Sequence, residues 1–580
     1  MSQLQPLLPY LARYRPALAG MVLMIIVGTL LSLSQPRLLG MAVDSLQSGH
    51  PGDRPYWLAA GIVALAAVQG GFTFGMRFVS GRISRRVEYE MRRDLFGHLE
   101  RLPQSFFGEM HTGDLMARAT NDLSAVRMLL GPAIMNSVNT GILFLIAAWL
   151  MFALDWQLAA IAVIALPLVS VAFTVIGRMM HVRYERVQAQ FGAIATRAQE
   201  NFSGIRVVKA YAQEDYEITR FQAASQEYVE RNMAYQRLSG LLWPFTALVS
   251  GITAALILYL GSSEVIVGHL TLGRFIEFNG YLAILSWPMI AFGWTVNLYQ
   301  QGVASLGRVS KVMNEPAIIA DGPDTLPISA IKGDIEFRDV SLAYGGRPVL
   351  EGLSFHVPAG HSLAILGATG VGKTSIVNLI CRVHEAQAGQ VLIDGTDVRR
   401  IPLAVLRGNI GLVPQDTFLF SLSLHDNVAF GVEQPEPRRL AQAVTVARLS
   451  NDIDQFPGGL DTVIGERGVT LSGGQKQRTA IARAVMRDPA ILILDDALSS
   501  IDTQTQAQIL SGLGHVLAGR TSILIAHRIS TVKAADHILV LDDGRVAEEG
   551  THTDLVARGG LYAQMYRREL LTQELQVDEV

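Results

Sequence analysis

The sequence predicts two unlike halves: an all-α six-helix membrane domain with long cytoplasmic helical extensions, then an α/β domain of the P-loop class. Three observations carry this. Charged residues make up 17% of the chain, against about 25% in ordinary soluble domains, and the shortfall lies before about residue 305. Six stretches in that half reach the roughly 20 mostly apolar residues that a spanning helix needs. The second half contains Gly367, Ala368, Thr369, Gly370, Val371, Gly372, Lys373 and Thr374, which match the pattern GxxxxGK[ST].

The membrane domain is expected over 1–305, with spans at about 17–41, 57–80, 129–153, 157–180, 241–261 and 275–300. The first is read as an uncleaved helix, because no small-residue cleavage site follows it and five further spans do. Short links join spans 1–2, 3–4 and 5–6, whereas the 2–3 and 4–5 connections are long. Segment 81–127 carries eight arginines, among them Arg82, Arg85, Arg86, Arg118 and Arg127, and segment 181–240 is equally basic, while the short links hold only Arg54 and Arg274. That excess places both long loops, and with them both termini, in the cytoplasm. Mixed charge and few breakers make each long loop a helix out of the bilayer and a helix back, with turn-like centres near 106–114 and 200–209. Such a hairpin suits contact with a cytoplasmic partner.

Polar residues occur inside the spans, including Gln35, Gln69, Asn136, Asn139, Thr140, Asn297 and Gln300. They suit either a substrate path or hydrogen bonds between helices. A net charge of −3 gives no reason to expect nucleic acid as a partner. The single cysteine, Cys381, excludes an internal disulfide or a cysteine-based metal site and reads as a core residue.

Residues 306–330, with Pro316, Gly322, Pro323 and Pro327, read as a linker to a nucleotide domain over 331–570, followed by a polar tail at 571–580. Ser362 to Leu366 reads as a buried strand and Ser375 to Val383 as a helix. The glycine-rich loop between them therefore has the strand–loop–helix context that a phosphate cradle requires. Gly367, Gly370 and Gly372 let backbone N–H groups approach phosphate, Lys373 supplies positive charge, and Thr374 offers a hydroxyl to Mg²⁺. A second apolar strand, Ile491 to Leu494, ends in Asp495, a carboxylate placed to hold Mg²⁺. Asp496 follows, where a general base would meet the attacking water.

With Leu471, Ser472, Gly473, Gly474 and Gln475 lying between the glycine-rich loop and this second strand, the C-terminal half resembles the ATPase domain of ABC transporters. Six spans and one such domain resemble an ABC exporter half-transporter, of the group that includes multidrug and lipid exporters. The resemblance implies further roles. Tyr344 would stack on adenine, and Ser375 would complete the ATP-binding loop. Gln415 would be the Q-loop glutamine that senses Mg²⁺. Gly465 to Gly468 would be the exporter-type loop before the signature, Asp502 would belong to the D-loop, and His527 would be the switch histidine. The loop centres near 106–114 and 200–209 would be coupling segments. ATP would lie between the glycine-rich loop of one domain, Gly367 to Thr374 (the family's Walker A motif), and the signature, Leu471 to Gln475, of another, so a second half-transporter is implied.

Most active members have Glu after the Walker B Asp, the position that Asp495 takes here. Asp496 is a methylene shorter, as in the weak-site subunit of heterodimeric members, although such subunits often lose the switch histidine and His527 remains. The resemblance thus implies ATP-driven export of a hydrophobic or amphipathic substrate across a bacterial inner membrane by a heterodimer, with a homodimeric lipid flippase as the alternative. A channel or regulator is disfavoured because no long regulatory insertion is present. A cargo-trimming peptide exporter is disfavoured because only about 16 residues precede the first span.

Overall fold

A computed structural model describes residues 2–48, 52–465, 471–526 and 528–578. It divides into two units, one comprising Met1–Glu100 and His111–Glu315, the other Arg101–Met110 and Pro316–Val580.

The first unit is built from helices α1 (Arg15–Gln47), α2 (Arg54–Leu99), α3 (Ile134–Leu154), α4 (Trp156–Ser203), α5 (Glu214–Val267) and α6 (Leu272–Met313). Among the described residues, Arg15–Gln47, Arg54–Leu99, Thr112–Leu154 and Ala247–Val267 are long and apolar enough to cross a membrane. The other two expected spans, 157–180 and 275–300, lie on α4 and α6 and fall in part on side chains outside the description. Helices α2, α4 and α5 have 46, 48 and 54 residues. At 1.5 Å per residue they are about 70–80 Å long, more than twice the ~30 Å hydrocarbon thickness. Between α2 and α3, and between α4 and α5, lie the short helices Gln104–Glu109 and Ile205–Ala210.

Small residues let α1 and α6 approach closely. A Cβ on Gly40 would sit 2.5 Å from the Gly273 carbonyl oxygen, and one on Gly280 would sit 2.6 Å from Pro36 Cβ. Such contact suits a bilayer, where van der Waals packing has to replace the hydrophobic effect between helices. The α6 N-terminus is tied to α1 by Asp44, which accepts hydrogen bonds from Thr271 Oγ1 at 2.9 Å and Gly273 N–H at 2.7 Å. Gln35 Nε2 donates to Gln69 Oε1 at 2.6 Å, so these two span residues join α1 to α2.

Two expected boundaries move. Helix α6 continues to Met313, so the linker expected at 306–330 begins inside a helix. Leu306, Val309 and Val312 are buried along one face, and this stripe sustains the helix until Pro316 approaches. The tail expected at 571–580 is helical as far as Asp578, within Leu561–Asp578. No Gly or Pro interrupts that stretch, and its Leu, Glu, Gln and Arg residues favour helix.

Ahead of α3 the helix widens into two π turns, Arg118–Asp122 and Leu129–Ala133. The second contains Pro132, whose missing N–H breaks the regular ladder. The first presents the buried Asp122 to α6, where Oδ1 accepts from Ser305 Oγ and Oδ2 from Arg308 Nε, each at 2.9 Å. Burial pushes the Asp122 carboxyl up, but the hydrogen bonds from Arg308 and Ser305 and the Arg308 charge outweigh it and hold the group below the usual range. Its stabilising contribution is therefore complete above the ordinary Asp value and is lost as pH falls through the lower folded value. Arg308→Ala leaves this carboxylate short of partners. It is expected to cost about 1–3 kcal/mol, read as a lower unfolding temperature of the solubilised chain at pH 7. The deficit should shrink below about pH 4. An unchanged midpoint at pH 7 would show that the network contributes nothing.

The second unit holds two sheets. Their strands are β1 (Ile335–Tyr344), β2 (Arg347–Val357), β3 (Ser362–Gly367), β4 (Ala388–Ile393), β5 (Thr396–Asp397), β6 (Ile410–Val413), β7 (Ile491–Asp495), β8 (Thr521–Ile525), β9 (His537–Asp542) and β10 (Arg545–Gly550). An antiparallel sheet has the order β2-β1-β4-β5, and a six-stranded sheet has the order β10-β9-β3-β8-β7-β6. In the larger sheet β9, β3, β8, β7 and β6 are parallel, and β10 closes one edge antiparallel.

The side-chain period of two splits the apolar residues of this sheet between two cores. Leu363, Ile365, Ile491, Ile493, Ile523 and Ile525 join one core with Ile376, Val377 and Ile380 of helix α7 (Lys373–Ile380). Ala364, Leu366, Leu492, Leu494 and Leu524 join another with Ala480, Ile481 and Val485 of helix α8 (Gly473–Met486). The helix after the phosphate loop and the helix after the signature thus pack on opposite faces.

Candidate nucleotide site

Parallel strands in the order β3-β8-β7-β6 bring their carboxyl ends to one edge of the sheet. Open α/β sheets bind ligands at that edge. Gly367 ends β3 and opens the phosphate loop, Asp495 ends β7, and Gln415 follows β6 by two residues. His527 follows β8 by two residues but lies outside the described residues, as do 466–470 of the loop before the signature. The register pairs Ile365 and Asp495 with the same residue, Ile525. The phosphate loop and the carboxylates are therefore level with one another.

The loop folds as its glycines require. Gly370 and Gly372 have φ of +87° and +100°, a region open to Gly at little cost. A Cβ on Gly372 would also meet Leu350 Cδ2 at 2.7 Å. Gly372 is the N-cap of α7 and makes no side-chain cap, so the first N–H groups of the helix remain for an anion. Lys373 is buried, with Nζ donating to the carbonyl oxygens of Gly367 and Ala368, each at 2.8 Å. Burial lowers its pKa, and the charges of Asp495 and Asp496 act in the opposite sense. Both carboxylates thus lie within electrostatic reach of the loop lysine. Thr374 is exposed, and Ser375 is buried and accepts a long hydrogen bond of 3.4 Å from Tyr344 OH. The Tyr344 ring packs edge-on to His384, with centroids 5.1 Å apart, and is 38% exposed, which leaves aromatic surface for a base.

Asp495 is 2% exposed at the end of β7. Asp496 has φ of +48°, donates its N–H to the Ile525 carbonyl oxygen at 2.9 Å and accepts from Ser499 Oγ at its own carbonyl, at 3.0 Å. Asp495, Thr374 and the exposed Gln415 offer oxygen donors only, which suits a hard cation such as Mg²⁺. Among the described residues no group of three or more His, Cys, Asp or Glu is placed to hold a metal ion, so phosphate oxygens and water would complete such a site.

The signature has a separate architecture. Ser472 caps α8 in a reciprocal box: its Oγ accepts from Gln475 N–H at 3.3 Å, and Gln475 Oε1 accepts from Ser472 N–H at 2.9 Å. Leu471 is buried beneath, while Ser472 and Gly473 are exposed and Gly474 is half-buried. Asp452 holds the turn from behind, accepting from Gln475 Nε2 at 3.1 Å and Arg478 Nη2 at 2.7 Å. Asp502, expected in the D-loop, caps helix α9 (Thr503–Leu517) by accepting from Thr505 N–H at 2.8 Å.

Two positions escaped the sequence reading. Gln477, 5% exposed, donates to Ser499 Oγ at 3.1 Å and accepts from Ser500 N–H at 3.0 Å, which ties the signature helix to the D-loop. Asp452 anchors the signature itself. Neither has a local pattern to betray it, since the partners lie 22 to 26 residues away. Gln477→Ala is expected to leave ATP affinity unchanged but lower ATP turnover of the assembled protein about tenfold through misplacement of the D-loop. Gln477→Glu, which keeps the acceptor for Ser500, should recover part of it. Equal turnover in the wild type and the alanine variant would remove Gln477 from the site.

Comparison with known proteins adds independent findings. Residues 18–289 match the ABC transporter transmembrane region and residues 350–499 match the ABC transporter family. The chain is 36% identical over 556 residues to the probable multidrug resistance ABC transporter ATP-binding/permease protein YheI of Bacillus subtilis, covering 95% of this chain and 94% of that protein. It is 34% identical to the ATP-dependent lipid A-core flippase of Syntrophus aciditrophicus, over 96% of this chain and 92% of that one. It is 32% identical to the multidrug resistance-like ATP-binding protein MdlA of Escherichia coli, over 96% and 95%. The structure of a bacterial Atm1-family ABC exporter with ATP bound superposes with a TM-score of 0.81 at 29% identity, over 96% of this chain and 99% of the other.

Proposed function

Because the chain belongs to the ABC transporter family, with an exporter-type membrane domain and an ATPase domain that couples ATP hydrolysis to transport, we propose that it is one subunit of a heterodimeric exporter. On this reading it moves hydrophobic or amphipathic molecules out across a bacterial inner membrane. Its own Walker motifs form the weak ATP site, and its signature serves the partner's site. Relatives named for multidrug resistance and for lipid A-core flipping support the substrate class. The arginine-rich loops support cytoplasmic placement of both termini and the ATPase domain.

The observation that carries the asymmetric reading is Asp496. It follows the buried Asp495 on a left-handed backbone, and its carboxylate is one methylene shorter than a glutamate's. A displacement on the order of 1 Å from the attacking water can cost about 10²-fold in rate. The opposite-face packing of α7 and α8 supports two shared sites, each joining the phosphate loop of one domain to the signature of another. Ser472 and Gly474 would close on the partner's γ-phosphate, with the α8 N-terminus directed at it. Mg²⁺, held by Thr374, Gln415 and Asp495, would neutralise charge on the outer phosphates. Closure would reach the membrane helices through the segments near 106–114 and 200–209. The helix Gln104–Glu109 lies within Arg101–Met110, which groups with the ATPase unit.

A second reading, a homodimeric lipid flippase, draws on one observation: phosphate loop and capped signature are both well formed in this chain. ATP turnover of the chain purified alone separates the two. The asymmetric reading expects slow turnover that Asp496→Glu raises about 10–100-fold. Rapid turnover by the lone wild-type chain, abolished by Asp496→Asn, would sink the asymmetric reading in favour of the homodimer.

A further inference from the structure

A basic cleft lies beside the N-terminal end of the first unit. It has a volume of about 830 Å³ and lies between the start of α1 and the part of α2 just beyond its expected span. Phe78, Arg82, Arg85, Arg86 and Tyr89 line it from α2, and Tyr14 lines it from the other side. Their spacing along α2 is helical, so they form one stripe. Phe78 and Tyr89 are 59% and 56% exposed, and all three arginines are exposed.

The charges along this stripe are not balanced within the chain. Three acids lie on the same helix, and all are engaged. Glu90, which is buried, accepts from Tyr14 OH at 2.8 Å and pairs with Arg13 at 3.3 Å, with Arg86 more distant at 3.9 Å. Asp94 accepts from Tyr10 OH at 3.0 Å and pairs with Arg93. Glu88, on the same helix, is taken by Arg92 and Arg127. Among the described residues, Arg82 and Arg85 make no hydrogen bond or ion pair, so two guanidinium groups face the cleft without an anion. Arg86 also stands 5.6 Å from the Tyr89 ring, which orders it along the same wall.

Polarity changes along the stripe in the direction that a lipid's does. Phe78 is still within the expected span, while Arg82 begins one turn later. The most apolar stretch of α2 is not buried within the chain, and the exposed Phe78 and its neighbour Val79 give the cleft an apolar wall fit for acyl chains. A free phosphate would use only the arginine end. Aromatic and basic side chains at this depth are the usual means of holding an anionic headgroup.

We propose that this cleft binds an anionic phospholipid, its phosphate between Arg82 and Arg85 and its acyl chains along Phe78. The lipid belongs to the leaflet on the side proposed above to be cytoplasmic. Through Tyr14 it would brace the start of α1 against α2. The proposal does not depend on whether the dimer is symmetric.

The test uses the full chain in detergent, titrated with dioleoylphosphatidylglycerol, with dioleoylphosphatidylcholine and with glycerol 3-phosphate, and bound molecules counted by native mass spectrometry. Preferential binding of phosphatidylglycerol is expected. At about fivefold per arginine near an anionic surface, the double variant Arg82→Gln/Arg85→Gln should bind it about 30-fold more weakly. The single variants should fall between, and Arg82→Lys/Arg85→Lys should retain most of the preference. Arg54→Gln, in a link at the other end of α2, should change nothing. Equal phosphatidylglycerol binding by the wild type and the double glutamine variant would overturn the proposal. So would glycerol 3-phosphate binding as tightly as the lipid, which would make this a site for free phosphate esters.

Discussion

Strand β7 has a core on each side, and the chemistry of the ATPase unit follows from that. Ile491 and Ile493 pack with the helix after the phosphate loop, whereas Leu492 and Leu494 pack with the signature helix. A strand has only two faces, so the next residue in the alternation, Asp495, falls on the phosphate-loop side. The strand therefore delivers one carboxylate to the carboxyl edge of the sheet while keeping the phosphate-loop helix and the signature helix in different cores. Had both helices packed on one face, a single domain could close its own motifs around one phosphate. Their separation gives physical content to the proposal that each ATP is shared between two domains.

Buried polar groups then fix the positions that the alternation only roughs out. Lys373 rests on two carbonyl oxygens of its own loop. The buried Gln477 joins signature helix and D-loop, and Asp452 holds the signature turn from below. A buried polar group without partners costs about 1–3 kcal/mol, so each is stable only in the arrangement that satisfies it. The membrane unit uses the same device, with Asp122 of a π turn held by Ser305 and Arg308 of α6.

What could be read from the sequence divides along the same line. Contiguous patterns were legible. The strand–loop–helix around Lys373, the apolar strand ending in Asp495 and the apolar stretches of the membrane half each declare themselves within about 25 residues. Partnerships across the chain were not. Nothing near Gln477 indicates Ser499 and Ser500, and nothing near Asp122 indicates Arg308, which lies 186 residues away. The displaced boundaries have a local cause that composition hides. The residues after 305 look polar on average, yet Leu306, Val309 and Val312 make one buried stripe. In 571–578, good helix formers outweigh polarity.

Asp496 shows why a single methylene can matter at a position whose backbone is already constrained. Its φ of +48° is uncommon for any residue with a Cβ, and Asp is among the few side chains enriched there. The turn is held by hydrogen bonds on both sides of the residue, from its N–H to Ile525 and from Ser499 to its carbonyl oxygen. The backbone cannot advance to offset a shorter side chain without breaking one of them. A glutamate here would accept some conformational strain in exchange for reach. Aspartate relaxes the strain and gives up the reach. The shorter side chain that eases the fold of the turn thus draws the carboxylate away from the phosphate edge, which is the physical ground for the proposal that this chain holds the slower of two sites.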